Sequence, residues 1–269
     1  MSSVEGSDSV QIVDVWKENM EQEFSVIRAA KSNFPYVSLN TKFSGSLFTV
    51  RSYGALSGNL GLAKLIQVGL TLSDEQGNIP MIMSSTTHEA KQRVWQFNFC
   101  EFDPKTDPKS RDIIETLIYN GIDFEKNKNC GIKYSDFAEF LMSSRLVQDD
   151  EVQWITFGSS DFGYMVKLLT GKKNLPETEQ EFFKILKDFF PVSYDLNYLI
   201  KFTTNLRGGL EDVARVLGEK RVGPTAQAGS DSLLTSRVFK KLKHEHVYFN
   251  GAIPETCRGV LSGLAGIEL

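Results

Sequence analysis

Three short runs in which apolar and polar residues alternate constrain this chain more than any other feature. They are PYVSLNTKFSG at Pro35 to Gly45, KLIQVGLTL at Lys64 to Leu72, and RVWQFNF at Arg93 to Phe99. Alternation with a period of two is the signature of a β-strand, whose successive side chains point to opposite faces. In the first run Val37, Leu39 and Thr41 therefore share one face, and Ser38, Asn40 and Lys42 share the other. Asn40 and Lys42 are neighbours that project together. The turn residues DEQGN at Asp74 to Asn78 separate the second and third runs, which predicts an antiparallel pair.

The rest of the chain has mostly helical spacing. Trp16, Met20, Phe24 and Ile27 mark one face of a helix over Asp14 to Lys31, with Asp14 as its N-cap. Residues Thr49 to Ala63, with Gly54, Gly58 and Gly61, read as a loop. A helical stripe at Ile113, Ile114, Leu117 and Ile118 ends before Gly121. The loop DFEKNKNCG follows, and then a helix with Phe137, Phe140 and Leu141. EVQWITF at Glu151 to Phe157 is a further strand that turns into a helix opened by Asp161. Later helices carry Phe182 to Phe189 and Leu210 to Leu217, and a final one runs from Ala228 to Leu242. Strands that cluster first and then alternate with helices predict an α/β fold with one mixed central sheet covered by helices. The expected organisation is a polar N-terminal tail over residues 1–12, a single domain over 13–250 and a C-terminal tail over 251–269.

Composition narrows the functional classes. A chain of 269 residues with 41% hydrophobic and 24% charged residues is an ordinary globular protein with a substantial core. MSSVEGSDSVQIVDV has neither the basic nor the apolar region of a signal peptide, and no apolar run is long enough to span a bilayer. The expectation is a protein of the cytoplasm and nucleus that does not associate with membranes. Cys100, Cys130 and Cys257 are scattered without C-x-x-C spacing, which predicts free thiols rather than a disulfide framework or zinc site. A net charge of -4 gives no general footprint for nucleic acid.

Few residues announce chemistry. The sequence has no G-x-S-x-G elbow, no Walker loop and no G-x-G-x-x-G. His88 falls in a loop, and an H-x-H such as His244 and His246 does not put both rings on one helix face. LRGGL at Leu206 to Leu210 reads as a turn into a helix, and the run Lys240, Lys241 and Lys243 offsets a helix C-terminus. Asp161 and Asp231 each stand near the start of a helix, where a carboxylate is favoured by capping and by the dipole.

Longer stretches carry more information. VWKENMEQEF, KLIQVGLTL, WQFNF, GIKYSDFAEFLM, SDFGYMVKLLT, EFFKILKDFFPVSYDLNYL, NLRGGLEDVA and GPTAQAGSDSLLT together span about Val13 to Leu242. They resemble the Caf-one/Pop-two deadenylases, the ribonuclease subunit of the CCR-four-NOT complex. The resemblance implies a ribonuclease H-like fold of the DEDD exonuclease group, acting on poly(A) tails from the 3′ end. It also implies a NOT scaffold subunit and a CCR-four-type nuclease as partners, and poly(A) RNA as a ligand. Active members of this kind hold two Mg or Mn ions on a D-x-E pair, an aspartate after a later strand, and a final aspartate five residues after a histidine.

Carried over residue by residue, the later aspartates are present as Asp161 and Asp231, but the D-x-E positions hold Asn40 and Lys42 and the histidine position holds Ala226. The turn TFGSSD before Asp161 is one residue shorter than the family's form and lacks its histidine. An amide at position 40 keeps the shape of aspartate and removes the charge that hard cations prefer. An ammonium about 4 Å from a divalent ion is repelled by roughly 8 kcal/mol at an effective dielectric of 20. Lys42 is placed to occupy a metal position itself, paired with Asp231 or Asp161. Ala226 removes a general base whose contribution is typically 10²- to 10⁴-fold. The reading is a family member with impaired or absent catalysis that serves as an interaction subunit in mRNA decay. On this reading Asp161 and Asp231 are residual ligands insufficient for metal, and no cofactor is expected. The alternative is an active 3′-5′ poly(A)-specific exoribonuclease with a rearranged metal site.

Overall fold

The computed structural model describes residues 10–46, 48–83, 89–245 and 249–264. Among the described residues seven strands form one mixed sheet: β1 (Val10–Val15), β2 (Tyr36–Phe43), β3 (Leu65–Ser73), β4 (Met81–Met83), β5 (Ala90–Asn98), β6 (Gln153–Thr156) and β7 (Val192–Asp195). Their order is β1-β5-β3-β2-β6-β7, and β4 pairs with β5. The three alternating runs lie side by side in the middle, antiparallel, while β2, β6 and β7 run parallel to one another.

Alternation along β2 divides the core in two. Val37 and Leu39 face a large apolar layer built with α1 (Met20–Ala30), α2 (Tyr53–Leu62), α5 (Tyr134–Ser143), α6 (Ser159–Thr170) and α7 (Glu179–Phe189), whose helix ranges bracket α3 (Arg111–Tyr119) and α4 (Phe124–Cys130) in the chain. Tyr36 faces a second layer with Ile155 and Tyr194, covered by α8 (Leu196–Leu199), α9 (Leu210–Val216) and α10 (Ala228–His244). Aromatic contacts knit the first layer together: Phe97 and Phe137 meet edge to face with centroids 4.9 Å apart, and Phe24 and Phe97 lie tilted at 5.2 Å. The buried Glu23 carboxylate ties α1 to the sheet by accepting from the Trp95 indole N–H at 2.8 Å.

Several local expectations are corrected. Residues Val10 to Val15 form a strand, so Asp14 is not a helix N-cap and α1 begins only at Met20. Four β-branched residues, Val10, Ile12, Val13 and Val15, favour a strand that pairs parallel with β5, and the Asp14 carboxylate accepts from Gln96 at 2.9 Å and Asn98 at 3.1 Å. The glycine-rich loop over 49–63 contains α2, because Ser52 caps its start and Leu56 and Leu60 are buried, with Leu60 meeting Gly163 of α6. DFEKNKNCG is largely α4, nucleated by the Asp123 carboxylate accepting from the Lys126 N–H at 2.9 Å. At the other end, Cys257 and Leu261 are buried and the Gly259 N–H donates to the Ser193 carbonyl at 2.8 Å, so part of the expected C-terminal tail packs against β7. Among the described residues no helix is long and apolar enough to cross a membrane, and the three cysteines are free thiols.

One close approach fixes how α10 lies on the sheet. A Cβ at Gly69 would stand 1.9 Å from the Ala228 carbonyl oxygen, so only glycine allows the start of α10 to rest on β3. Gly69→Ala is expected to lift α10 from the sheet and to lower the unfolding free energy by about 2–3 kcal/mol, the range of overpacked cores, read as a lower midpoint in urea denaturation.

Candidate functional site

The candidate site lies where the C-terminal half of β2 meets the first turns of α6 and α10. Asn40 pairs across the sheet with Gly69, and Lys42 pairs with Gln67 just before a register shift at Lys42/Phe43. Such irregularities re-aim side chains at a sheet edge. Asn40 and Lys42 share one face, as the alternation predicts, and the structure turns that face toward α10 and Thr41 toward α6.

Polar side chains of the sheet hold the start of α10. The Gln67 side-chain oxygen accepts from the Ala228 N–H at 3.2 Å, and that of Gln96 accepts from the Gly229 N–H at 3.0 Å. Both glutamines are buried, and they satisfy N–H groups that lack partners inside the helix. One helical turn on, Asp231 is thereby brought against β2.

Asp231 is occupied on both oxygens. Its Oδ2 accepts from the Lys42 ammonium and its Oδ1 from the Arg221 guanidinium. Of the two partners the sequence offered Lys42, the structure selects Asp231. Arg221 also donates to Ser230 Oγ at 2.8 Å and pairs with Glu211 of α9. All three of Lys42, Arg221 and Asp231 are largely removed from solvent, with side-chain exposures of 17%, 13% and 11%. Charged groups so placed depend on one another, because removing one leaves its partner desolvated and unpaired.

Asp161 is engaged differently. Its Oδ1 accepts from the Thr41 backbone N–H at 2.8 Å and from the Thr41 hydroxyl at 2.7 Å. Burial dominates its titration and pushes the carboxyl up to about 7, against the lowering effect of Thr41 and Lys42. Asn40 is buried too, and its Oδ1 meets no donor among the described residues. Ala226 is not drawn to these groups. It packs against the cluster of Ile66, Phe102 and Ile114, with a φ of 55° in the left-handed region. That region is strained for alanine and several-fold more populated by histidine, asparagine and aspartate.

The site therefore gathers three carboxylates, Asp161, Asp231 and Glu211, against the two cations Lys42 and Arg221, and both cations fall on Asp231. A pair of divalent ions needs anionic oxygens, and here one carboxylate is filled by an ammonium and a guanidinium, while the orphan oxygen of Asn40 is neutral. Among the described residues no group of three His, Cys, Asp or Glu is placed to hold a metal. The residues present do not fit a two-metal centre. Sequence reasoning missed Arg221, which lies between α9 and α10 and belongs to no periodic pattern. His244 contacts the Glu75 carbonyl at 2.9 Å away from this site, while His88 and His246 lie outside the described residues. LRGGL is the turn into α9, capped from within by Asp212, whose Oδ2 accepts from the Gly209 N–H at 3.2 Å.

No family model matches the chain. A protein of Arabidopsis thaliana named probable CCR4-associated factor 1 homolog 7 is 45% identical to it over 271 residues, covering 97% of this chain and 95% of the relative. The chain belongs to the CCR4-associated factor 1 (Pop2) family. The poly(A) ribonuclease pop2 of Schizosaccharomyces pombe is 41% identical over 263 residues, covering 94% of this chain and 75% of the relative. Among solved structures, that of S. pombe Pop2p in its Mg2+ and Mn2+ bound form superposes with a TM-score of 0.83 at 39% identity, covering 96% of this chain and 100% of the other. The yeast NOT1 MIF4G domain co-crystallised with CAF1 gives a TM-score of 0.77 at 32% identity, covering 96% of this chain and 99% of the other. The mixed sheet with its covering helices is thus the ribonuclease H-like exonuclease fold of Pop2, as the resemblance implied.

A second buried acid, Asp195 at the end of β7, accepts from the Asn197 and Ser262 N–H groups at 2.8 Å each, yet burial still pushes it up to about 6. Both Asp161 and Asp195 thus hold a proton more tightly folded than unfolded. Their sign is opposite to that of a salt-bridged carboxylate: the folded state gains protons as pH falls through about 7 and 6, so stability rises toward pH 5. Thermal unfolding between pH 8 and pH 5 is expected to show Tm rising on acidification, with Asp161→Asn flattening the part of the curve near neutrality.

Proposed function

We propose that this chain is a Pop2-family protein that does not hydrolyse RNA and that serves as an interaction subunit in poly(A) tail shortening. The observation that carries this reading is the double occupation of Asp231 by the Lys42 ammonium and the Arg221 guanidinium. With Asn40 in place of an acid beside it, Lys42, Asp231 and Arg221 form an internal ion network instead of an anionic cradle, while at the other family positions Asp161 is held by Thr41 and Ala226 is packed away against Ile66.

No reaction step can be assigned to such a network. Lys42 is a cation where a metal's charge would act, but it cannot coordinate and activate water as a divalent ion does. Ala226 has no proton to exchange. What the network can do is hold α9, α10 and β2 in register without a metal, which keeps the outer surface of the fold available to partners. A relative supports that role, since a yeast CAF1 has been co-crystallised with a NOT1 MIF4G domain, and the name of the S. pombe relative, a poly(A) ribonuclease, supports the link to poly(A) tails. A NOT scaffold is the partner this reading requires. It also places a CCR-four-type nuclease in the same assembly as the source of activity, with the protein working in the cytoplasm and nucleus. Poly(A) RNA can still be held through phosphate and stacking contacts, which need no metal.

Purified protein with labelled oligo(A) and millimolar Mg2+ or Mn2+ is expected to leave the substrate at full length. Shortening that is abolished by Asp161→Ala would overturn the proposal in favour of an active enzyme with a rearranged site. Asn40→Asp, Lys42→Glu and Ala226→His, combined, are expected to create metal-dependent shortening, since they free Asp231 of its ammonium and supply a base at a left-handed position that suits histidine. Single restorations are expected to remain at least 10²-fold below the triple variant, because charge at the metals and a general base act together.

A further inference from the structure

Away from the β2 site, the ends of two helices converge on a cavity of about 440 Å³. It lies between the C-terminal turns of α2 and α6, the start of β3 and the start of α5. This is within the size range of small-molecule sites. Leu65, Leu168 and the rings of Tyr134 and Tyr164 form its apolar wall. The tyrosine hydroxyls are committed to backbone, that of Tyr134 donating to the Leu65 carbonyl at 2.6 Å and that of Tyr164 to the Ala63 carbonyl at 3.5 Å. Tyr164, Leu65 and Leu168 are buried and reach the cavity only by their edges, and the exposed Leu62 completes its apolar side.

The charge around this cavity is one-sided. Lys64, Lys167, Lys172 and Lys173 line it, and no aspartate or glutamate does. Lys64 is paired with Asp107 at 2.9 Å, but among the described residues no carboxylate pairs with Lys167, Lys172 or Lys173. Lysines near a helix C-terminus are ordinary complements of its dipole, and Lys167 does donate to the Leu60 carbonyl at the end of α2. That contact uses one of three ammonium protons. The crowding goes further than a dipole asks: burial first, then Lys173 and Lys64, hold Lys167 below the usual lysine range. Like charges gathered without a counter-ion around an apolar, aromatic-walled space are relieved by an anion that also fills the space.

We propose that this cavity binds a mononucleotide-sized ligand, an aromatic heterocycle carrying a phosphate monoester. The ring lies in the apolar wall of Leu65, Leu168, Tyr134 and Tyr164, and the dianionic phosphate sits among Lys167, Lys172 and Lys173. Lysine suits phosphate as a compact point charge, and a dianion answers several ammonium groups better than a carboxylate. The inference does not depend on whether the β2 site is active.

Calorimetric titration of the full chain with adenosine 5′-monophosphate, adenosine and inorganic phosphate tests it. The nucleotide is expected to bind, and adenosine and phosphate alone to bind at least tenfold more weakly, because each satisfies only half of the cavity. Lys167→Gln is expected to weaken the nucleotide by roughly 10- to 100-fold, the loss of one charge-assisted hydrogen bond. Lys172→Gln with Lys173→Gln, both exposed beyond the end of α6 and so without consequence for folding, is expected to do the same. The exposed Lys105→Gln is expected to change nothing, which separates a site from net charge. No heat with the nucleotide at millimolar concentration, adenosine binding as tightly as the nucleotide, or affinity lost through Arg221→Gln while the lysine variants bind normally would each overturn the proposal.

Discussion

Everything distinctive about this molecule depends on the seating of α10 on the polar strip of the central sheet. The helix comes close enough to touch backbone at Gly69, and the sheet answers it with side chains: Gln67 and Gln96 take its first N–H groups, while Thr71 and Ser232 share a hydrogen bond at 2.9 Å. The seating is polar because the strand faces beneath it are polar, Asn40 and Lys42 on β2, Gln67 on β3, Gln96 and Asn98 on β5. A helix laid on such a face can be held only if each buried group finds a partner. Most do, through a network that runs from Asp14 through Gln96 to Gln227 and the Asn120 carbonyl.

The charge at Asp231 follows from that seating. Once α10 is fixed, its carboxylate lies within reach of β2 whatever β2 carries. An acid at position 42 would have needed a cation between the two carboxylates, and lysine brings the cation on its own side chain. Arg221 then closes the other oxygen and links Asp231 to Glu211, so that β2, α9 and α10 are joined through one carboxylate. Such a network contributes little net stability compared with apolar packing, since each charge is desolvated, but it strongly disfavours any arrangement in which one member is unpaired. Its effect is to specify geometry.

The sequence was most informative where a single period carried the signal. The alternation in KLIQVGLTL and RVWQFNF located β3 and β5 and their antiparallel pairing, and the parity of PYVSLNTKFSG assigned Asn40 and Lys42 to one face and Thr41 to the other. It was least informative where tertiary contacts override local preference. β1 is a strand because Val10, Ile12, Val13 and Val15 favour one and β5 has an edge to pair, a signal easily lost in so short a run beside the helical spacing of Trp16, Met20 and Phe24. The helix α2 forms despite Gly54, Gly58 and Gly61 because Leu56 and Leu60 are buried. At the site, Asn40, Lys42, Asp161, Ala226 and Asp231 were legible only as positions in a family pattern. Their spacing along the chain says nothing of contact, and the structure joins Lys42 to Asp231, binds Asp161 to Thr41 and leaves Ala226 against Ile66.

Arg221 shows why the electrostatics of such a site cannot be summed from a motif. Counting only the family positions, two carboxylates and one ammonium give a site that is net negative and still attractive to a cation. The guanidinium changes that argument, for although it shares its charge with Glu211 it takes the second oxygen of the carboxylate that Lys42 already holds. Asp161, the other acid, is pushed by burial to titrate near neutrality, so at about pH 7 it is only partly an anion at all. A divalent ion entering here would have to displace two cations from Asp231 and would meet at Asp161 a carboxyl that is only partly ionised near neutrality. That sequence of costs, more than the loss of any one residue, is what separates this site from a two-metal centre.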